Sequence, residues 1–237
     1  MAYSPRHKTE LSATAPNKAL WNTADGIRRA KASPKDCPTI SPGNVKTGLI
    51  PSVSLPPVWS CPNCAECKKD CYVLRNMLQG LHAKDIALSY GRNWELWRRD
   101  PVAYFSGIRK HLTTKAPQLF RWHVSGDIPS GEYWRAMVVL AQEFPDTRFL
   151  VFSKAYTRKG GAGLPFGQAP GNLSVILSCW PGQELPNNST LPRAYLETDT
   201  RRNRRRRKAL WCPGNCETCA ACWGAKGAGI DVYFPLH

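Results

Sequence analysis

Residues 119–154, LFRWHVSGDIPSGEYWRAMVVLAQEFPDTRFLVFSK, decide the fold class. The segment 119–127 alternates apolar and polar residues before a Gly-Asp turn, which predicts a strand that delivers its last residues to a loop. Residues 131–144 have apolar residues at helical spacing, and the runs 148–154 and 173–180 are typical of buried strands. Because strands alternate with a helix, we predict an α/β fold with a partial or incomplete barrel-like parallel sheet and crossover helices.

Helices are predicted on the amino-terminal side of this sheet. From Tyr72 to about His111, apolar residues recur at helical spacing, with interruptions near Gly91 and at Asp100-Pro101. Two or three helices are therefore expected.

Composition divides the chain into two parts. Residues 1–60 are rich in Pro, Ser, Thr and Gly and predict an irregular N-terminal arm with one short helix, wrapped over a core. Residues 61–237 predict a single α/β metal-binding domain with cysteine-rich segments at both ends. Within it, residues 156–172 are rich in Gly and Pro and predict a loop.

The ten cysteines are the strongest chemical signal. The first residues contain no apolar run of the kind found in signal peptides or membrane anchors, so a cytoplasmic protein without membrane association is expected. Thiols in a reducing cytosol are more often metal ligands or catalytic groups than disulfides. A secreted disulfide protein is the alternative that this argument disfavours.

The first cysteine set consists of Cys61, Cys64, Cys67 and Cys71. These residues are separated by two, two and three residues, the spacing with which bacterial ferredoxins bind cluster iron. The ferredoxin run is followed by proline, whereas Tyr72 follows here. We therefore predict a cluster-binding loop that leads into a helix, and not a ferredoxin fold.

The second cysteine set consists of Cys212, Cys216, Cys219 and Cys222, in the segment CPGNCETCAACW. Its spacing of three, two and two residues mirrors the first set, and its Pro-Gly pair favours the tight turn that brings thiolates together. The first three cysteines also match the cluster motif of radical S-adenosylmethionine enzymes. In those enzymes the motif precedes the barrel, and an aromatic residue is usual where Thr218 stands, so this match is discounted.

Both sets predict an iron–sulfur cluster, with either four or three irons, and zinc is the alternative. Four thiols crowded into eleven residues favour iron, because zinc ribbons use two separated pairs. The aromatic residues Trp59, Tyr72, Trp211 and Trp223 are expected to shield a cluster from water. Spacing alone leaves open whether the eight thiols hold two clusters or share one.

Two further cysteines and a polar group have simpler interpretations. Cys37 predicts a loop thiol without a role, with a further metal ligand from the arm as the alternative, and Cys179 predicts a small buried side chain in a strand. His123, Ser125 and Asp127 alternate at a strand end and predict a polar cluster that shapes a pocket or turn. A Ser-His-Asp triad is disfavoured, because alternate residues of one strand cannot chain their hydrogen bonds.

Basic residues are numerous, and the formal net charge is +16. Arg121 and Lys154 are expected either near the same sheet end, where they can meet an anion or a cluster, or as ordinary surface cations. The run Arg201–Lys208 predicts either a nucleic-acid contact or a solvated basic face. No aromatic residue interrupts that run, so single-strand stacking gains no support.

The ordered motifs resemble those of the phage gene product eighty-eight family. The resemblance runs from about Asn44 to the C-terminus: NVKTG before SLPP, CP with a later CxxxCY, RWHVSGDIPSGEYW, FSKAYTR, and finally CP, CxxCxxCW and IDVYFPLH.

This resemblance implies a cytoplasmic protein of a phage-infected or prophage-bearing host, distantly similar to radical S-adenosylmethionine barrels, with metal-binding cysteines at both ends. It implies that Cys64 is an addition in this sequence, and it favours a site shared by Cys67, Cys71 and C-terminal thiols. The positions that match the family pattern are Cys61, Cys67, Cys71, Cys212, Cys216, Cys219 and Cys222.

We therefore predict an iron–sulfur protein of phage type with a redox, electron-transfer or sensing role and a redox partner. A zinc-stapled nucleic-acid-binding protein and a radical S-adenosylmethionine-like enzyme are the alternatives. Whether the protein is an enzyme is left open, and no catalytic residue is assigned.

Overall fold

The computed structural model describes residues 15–65, 67–158, 161–180, 190–196 and 209–235. The helices are α1 Ala15–Ala32, α2 Ala83–Arg99, α3 Pro101–Lys115, α4 Gly131–Glu143, the single turn α5 Cys216–Cys219 and α6 Ala221–Ala228. The strands are β1 Ile40–Ser41, β2 Ser52–Val53, β3 Leu119–Trp122, β4 Arg148–Ser153, β5 Thr157–Arg158, β6 Gly161–Ala162, β7 Leu173–Ser178, β8 Arg193–Leu196, β9 Ala209–Trp211 and β10 Asp231–Phe234. None of the helices described is long and apolar enough to cross a bilayer.

The main sheet contains eight strands in the order β1-β2-β3-β4-β7-β8-β10-β9. All neighbours pair in parallel except β1 and β2, which are antiparallel. The predicted α/β class and parallel sheet are thus confirmed. The sheet ends at β1 and β9 and does not close into a barrel.

Alternate residues of the central strands face two different cores, as the period of a strand requires. Phe120, Trp122 and Phe149 belong to the larger core, which is covered by α2, α3 and α4. Leu150 and Ile176 belong to the smaller core on the opposite face. Helix α6 covers this second face with the buried side chains of Trp223 and Ala225.

The predicted break at Asp100-Pro101 separates α2 from α3. The Asp100 carboxylate accepts a hydrogen bond from the Ala103 backbone amide at 2.8 Å, and Pro101 occupies the first turn, where no amide donor is needed. Ser130 caps α4 in the same way, accepting from the Tyr133 amide at 3.1 Å. The predicted boundaries here follow directly from these caps.

The predicted interruption at Gly91 is wrong. Gly91 is buried in the middle of α2, where a Cβ atom would lie 2.6 Å from the carbonyl oxygen of Gly26 in α1. The glycine therefore permits two helices to cross closely and does not end either of them.

Residues 15–60, predicted as an irregular arm with one short helix, contain an 18-residue helix and two strands. β2 pairs with β3 through Ser52 opposite Arg121 and Val53 opposite Trp122, so this segment extends the main sheet. Residues 156–172, predicted as a loop, contain the small antiparallel pair β5–β6 and a short 3-10 helix, Phe166–Gln168.

Candidate metal centre and its cavity

A cavity of about 230 Å³ lies at the carboxyl ends of the parallel strands. Residues at or just beyond the ends of β3, β4, β7, β8 and β10 line it, among them His123, Lys154, Trp180, Leu196 and Pro235. Open α/β sheets bind ligands in the crevice outside these strand ends. The topology therefore places a candidate site here.

The first cysteine set lies against this cavity, and Cys61, Cys67 and Cys71 line it. Its loop is held by backbone hydrogen bonds from the Lys68 amide to the Cys64 carbonyl and from the Arg75 amide to the Cys71 carbonyl, both 3.0 Å. Cys64 is part-buried but is not among the lining residues.

Unusual backbone flanks this loop on both sides. Val58, whose carbonyl accepts the Cys61 amide at 3.4 Å, has a φ of 71°. A β-branched residue in this left-handed region is strained. After Cys71, the predicted helix is present as the five-residue π-helix Val73–Met77, a conformation often found at functional sites.

Lys154 supplies positive charge to the first set. Burial lowers its pKa, but the charges of Cys67, Asp127, Cys61 and Cys71 outweigh burial and raise it overall. In return, burial raises the pKa of Cys67 and Lys154 opposes that rise. The ammonium group is therefore close enough to stabilise thiolates in this loop.

The second cysteine set covers the opposite face of the sheet, where Cys212, Cys216 and Cys222 pack against the smaller core. Three hydrogen bonds to its backbone fix it there. The Cys212 amide donates to the Tyr233 carbonyl at 2.8 Å, the Cys216 amide donates to the Lys46 carbonyl at 2.9 Å, and the Ser174 side-chain hydroxyl donates to the Cys222 carbonyl at 2.8 Å.

Arg121 supplies positive charge to the second set. Burial raises the pKa of Cys222 to about 12 and also raises that of Cys216, and Arg121 opposes both shifts. Burial raises the pKa of Tyr72 as well, and Arg121, Cys71 and Cys216 all act on this phenol. Tyr72 therefore lies between the two sets.

Within the described ranges, no three His, Cys, Asp or Glu side chains converge closely enough to hold a single metal ion. Within each set the cysteines are neighbours along one loop or short helix.

The four aromatic residues predicted to shield a cluster differ in exposure. Trp223 is buried and donates from Nε1 to the Phe120 carbonyl at 3.2 Å, and Tyr72 is part-buried beside Cys71. Trp59 and Trp211 are more open, at 41% and 40% exposed. Trp211 lies on the edge strand β9 and stacks on Tyr233.

His123 and Ser125 line the cavity, as predicted for a polar cluster. They are 3% and 2% exposed, yet His123 Nδ1 and Ser125 Oγ lack a hydrogen-bond partner in the described structure, as does Arg121 Nε. His123 has a φ of 56°, which ends the strand alternation after Trp122.

Asp127 has a different role from its two neighbours. Its carboxylate accepts from the Ser153 hydroxyl at 2.7 Å, the Ile128 amide at 2.7 Å and the Lys154 amide at 2.8 Å. It thereby joins the ends of β3 and β4. Burial raises its pKa, and Lys154 opposes the rise.

The remaining predicted residues fall into place individually. Cys37 is exposed, and Cys179 is buried with Tyr195 and Tyr233, as predicted, although it lies just beyond the end of β7 and not in the strand. The run 201–208 lies outside the described residues. Lys46 also lines the cavity, although it was not predicted as a site residue. The pattern that could have identified it is the turn NVKTG, which is closed by hydrogen bonds between Asn44 and Gly48.

Comparisons with known proteins agree on one family. Residues 23–184 match the family model described as Gene product 88. The Gene 88 protein of Mycobacterium phage D29 is 31% identical over 151 residues, covering 59% of this chain and 60% of the relative. The Gene 88 protein of Mycobacterium phage L5 is 30% identical over 153 residues, covering 56% and 63%. The matches thus span about three fifths of these relatives. No solved structure matches the chain.

Proposed function

This chain belongs to the gene product 88 family, and on that premise we propose that it is a cytoplasmic iron–sulfur protein of phage type with a redox role, in electron transfer or sensing. The observation that carries the proposal is the pairing of each cysteine set with its own cation: Lys154 for the first set and Arg121 for the second.

The donor groups suit an iron–sulfur cluster. Metals bind thiolates, and burial raises the pKa of Cys61, Cys67, Cys216 and Cys222, so these thiols hold their protons more strongly than exposed thiols do. A bound cluster would displace the protons, and the buried negative charge would then be balanced by the neighbouring cation. The apolar packing of the second set against Trp223 limits access of water, which tunes cluster potentials.

We assign one centre to each set. The first is proposed at Cys61, Cys67 and Cys71, with Cys64 as a fourth ligand or a bystander, and the second at Cys212, Cys216, Cys219 and Cys222. Electrostatic coupling within each set supports this division, because Cys67 acts on Cys61, and Cys212 and Cys219 act on Cys216. A single cluster shared by Cys67, Cys71 and C-terminal thiols is the competing arrangement, and Tyr72 between the sets favours it.

The test is an absorption spectrum of anaerobically purified protein, with iron, acid-labile sulfide and zinc counted on the same sample. Broad absorption near roughly 400 nm with matched iron and sulfide is expected. A colourless protein with stoichiometric zinc would refute the proposal and favour the zinc-stapled alternative, whose nucleic-acid binding should fall steeply with salt.

Paired substitutions separate two centres from one. Cys67→Ala with Cys71→Ala should remove about half of the iron, and Cys216→Ala with Cys222→Ala the other half. If either pair removes all of it, the cluster is shared. Cys37→Ala, at an exposed thiol, is the matched control and should leave the iron content unchanged.

A radical S-adenosylmethionine reaction is the further alternative. Incubating the reduced protein with S-adenosylmethionine and measuring 5′-deoxyadenosine tests it directly.

A further inference from the structure

We infer that the cavity at the carboxyl edge of the sheet is a binding site for a small organic oxyanion, a carboxylate or a phosphate attached to an apolar or aromatic body. Arg121, His123 and Ser125 provide the anion contacts. The site goes beyond the proposed cluster function and requires no iron.

Three polar atoms on one short segment carry the inference. Arg121 Nε, His123 Nδ1 and Ser125 Oγ are buried without a hydrogen-bond partner in the part of the chain that the structure describes, and all three residues line the cavity. Leaving a buried polar group without a hydrogen bond is costly, so three such groups on one cavity-lining segment indicate a missing partner. An oxyanion, which accepts several hydrogen bonds, supplies one for all three.

A buried tyrosine pair can orient the histidine for this role. His123 Nε2 lies 3.0 Å from the Tyr133 hydroxyl, which lies 2.8 Å from the Tyr104 hydroxyl. Burial lowers the pKa of His123 to about 3, so the ring is neutral and carries one proton. When Tyr133 donates to Nε2, that proton resides on Nδ1, the nitrogen without a partner in the described structure. Tyr133 is therefore a positioning residue for the anion.

Charge and wall composition specify the ligand class. Three cations of the cavity lie over aromatic rings that also line it: Lys46 over Phe234 at 5.6 Å, Arg121 over Phe152 at 5.3 Å and Lys154 over Trp180 at 5.5 Å. A cavity of about 230 Å³ is smaller than the roughly 300–1,000 Å³ of sites for drug-sized molecules. A compact anion with a flat apolar body fits these walls.

The experiment is isothermal titration calorimetry with benzoate, phenyl phosphate and the neutral analogue benzamide. We expect saturable binding of at least one anion, at least about tenfold tighter than benzamide, because a charge-assisted hydrogen bond adds this much. Comparing the two anions distinguishes a carboxylate site from a phosphate site. Equal affinity for benzamide, or no saturable anion binding, overturns the inference.

Variants assign the binding to the named atoms. Ser125→Ala and Arg121→Gln should each weaken anion binding about tenfold or more, and Tyr133→Phe should weaken it through His123, whereas Tyr104→Phe should have the smaller effect. Arg98→Gln is the matched control, since Arg98 makes a cation–π contact with Trp94 away from the cavity. Circular dichroism and urea midpoints verify folding. Unchanged affinity in Ser125→Ala and Arg121→Gln overturns the inference.

Iron content separates this site from the cluster proposal. If the protein contains zinc or no metal, the iron proposal fails. Anion binding by that same protein would still support the anion site. A fully iron-loaded protein that binds no anion overturns the site alone.

Discussion

Gly91 of α2 faces Gly26 of α1 so closely that a Cβ atom on Gly91 would lie 2.6 Å from the Gly26 carbonyl oxygen. The neighbour is helix backbone, which cannot move aside as the end of a side chain can. The contact therefore fixes how α1 packs against α2, and through α2 against the larger core.

Gly91→Ala is expected to destabilise the protein by about 1–3 kcal/mol, because overpacking outweighs the gain in helix propensity. Urea unfolding measures this change. Gly227→Ala in α6 is the matched control: nothing lies within 4 Å of its Cβ position, so stability should stay the same or rise by up to about 1 kcal/mol. A stable Gly91→Ala protein would contradict the close crossing.

Stability should fall with acid through His123. Burial lowers its pKa in the folded chain to about 3, whereas an unfolded histidine titrates near about 6.5. Below that pH the unfolded chain binds a proton that the folded chain does not, so stability is lost as pH falls, by up to about 1.4 kcal/mol per pH unit. His123→Gln should remove this component, which urea midpoints at pH values of about 4.5 to 7.5 can detect. Parallel pH profiles for both proteins would disprove it.

Lys154→Met should lower the reduction potential of the first proposed centre. Reduction adds negative charge, and a neighbouring cation stabilises the reduced form, so its removal should shift the potential by something on the order of tens of millivolts. A redox titration followed by electron paramagnetic resonance measures the shift. Lys110→Met, on an exposed helix face far along the chain from the cysteines, is the control; an equal shift there would exclude a local effect.

Removing metal should loosen the carboxyl-terminal part of the chain. The second cysteine set packs on the smaller core, so metal binding there contributes to the free energy of folding. Anaerobic chelation is expected to lower the melting temperature and to speed proteolysis within residues 209–235. In a Cys216→Ala, Cys222→Ala protein the same chelation should have a much smaller effect on that segment.

The central sheet was predictable because its signals are local. The run 148–154 and the Asp100-Pro101 cap specify their own structure whatever surrounds them. The predicted helix break at Gly91 was wrong because this glycine makes a close tertiary contact. A glycine within a helical pattern indicates a break only when nothing packs against it. The strand β9 has three residues, too few for any periodicity to reveal it.

The residue types of the candidate site could be predicted from the sequence, but the contacts that bring those residues together could not. Cysteine spacing identified both sets of thiols, and the alternation at His123 and Ser125 identified cavity residues. Arg121 lies in β3, which pairs with β4 inside the sheet. The second cysteine set, more than ninety residues later in the chain, covers the other face of that sheet, and only this packing lets Arg121 act on it. No local pattern in the sequence encodes such a contact.

The place of β10 between β8 and β9 sets the order in which this side of the sheet can form. β9 precedes β10 in the chain, yet it joins the sheet through β10. Residues 209–211 can therefore pair only once residues 231–234 are in place beside β8. The second cysteine set lies on the segment between these two strands, so the last strands to pair enclose it.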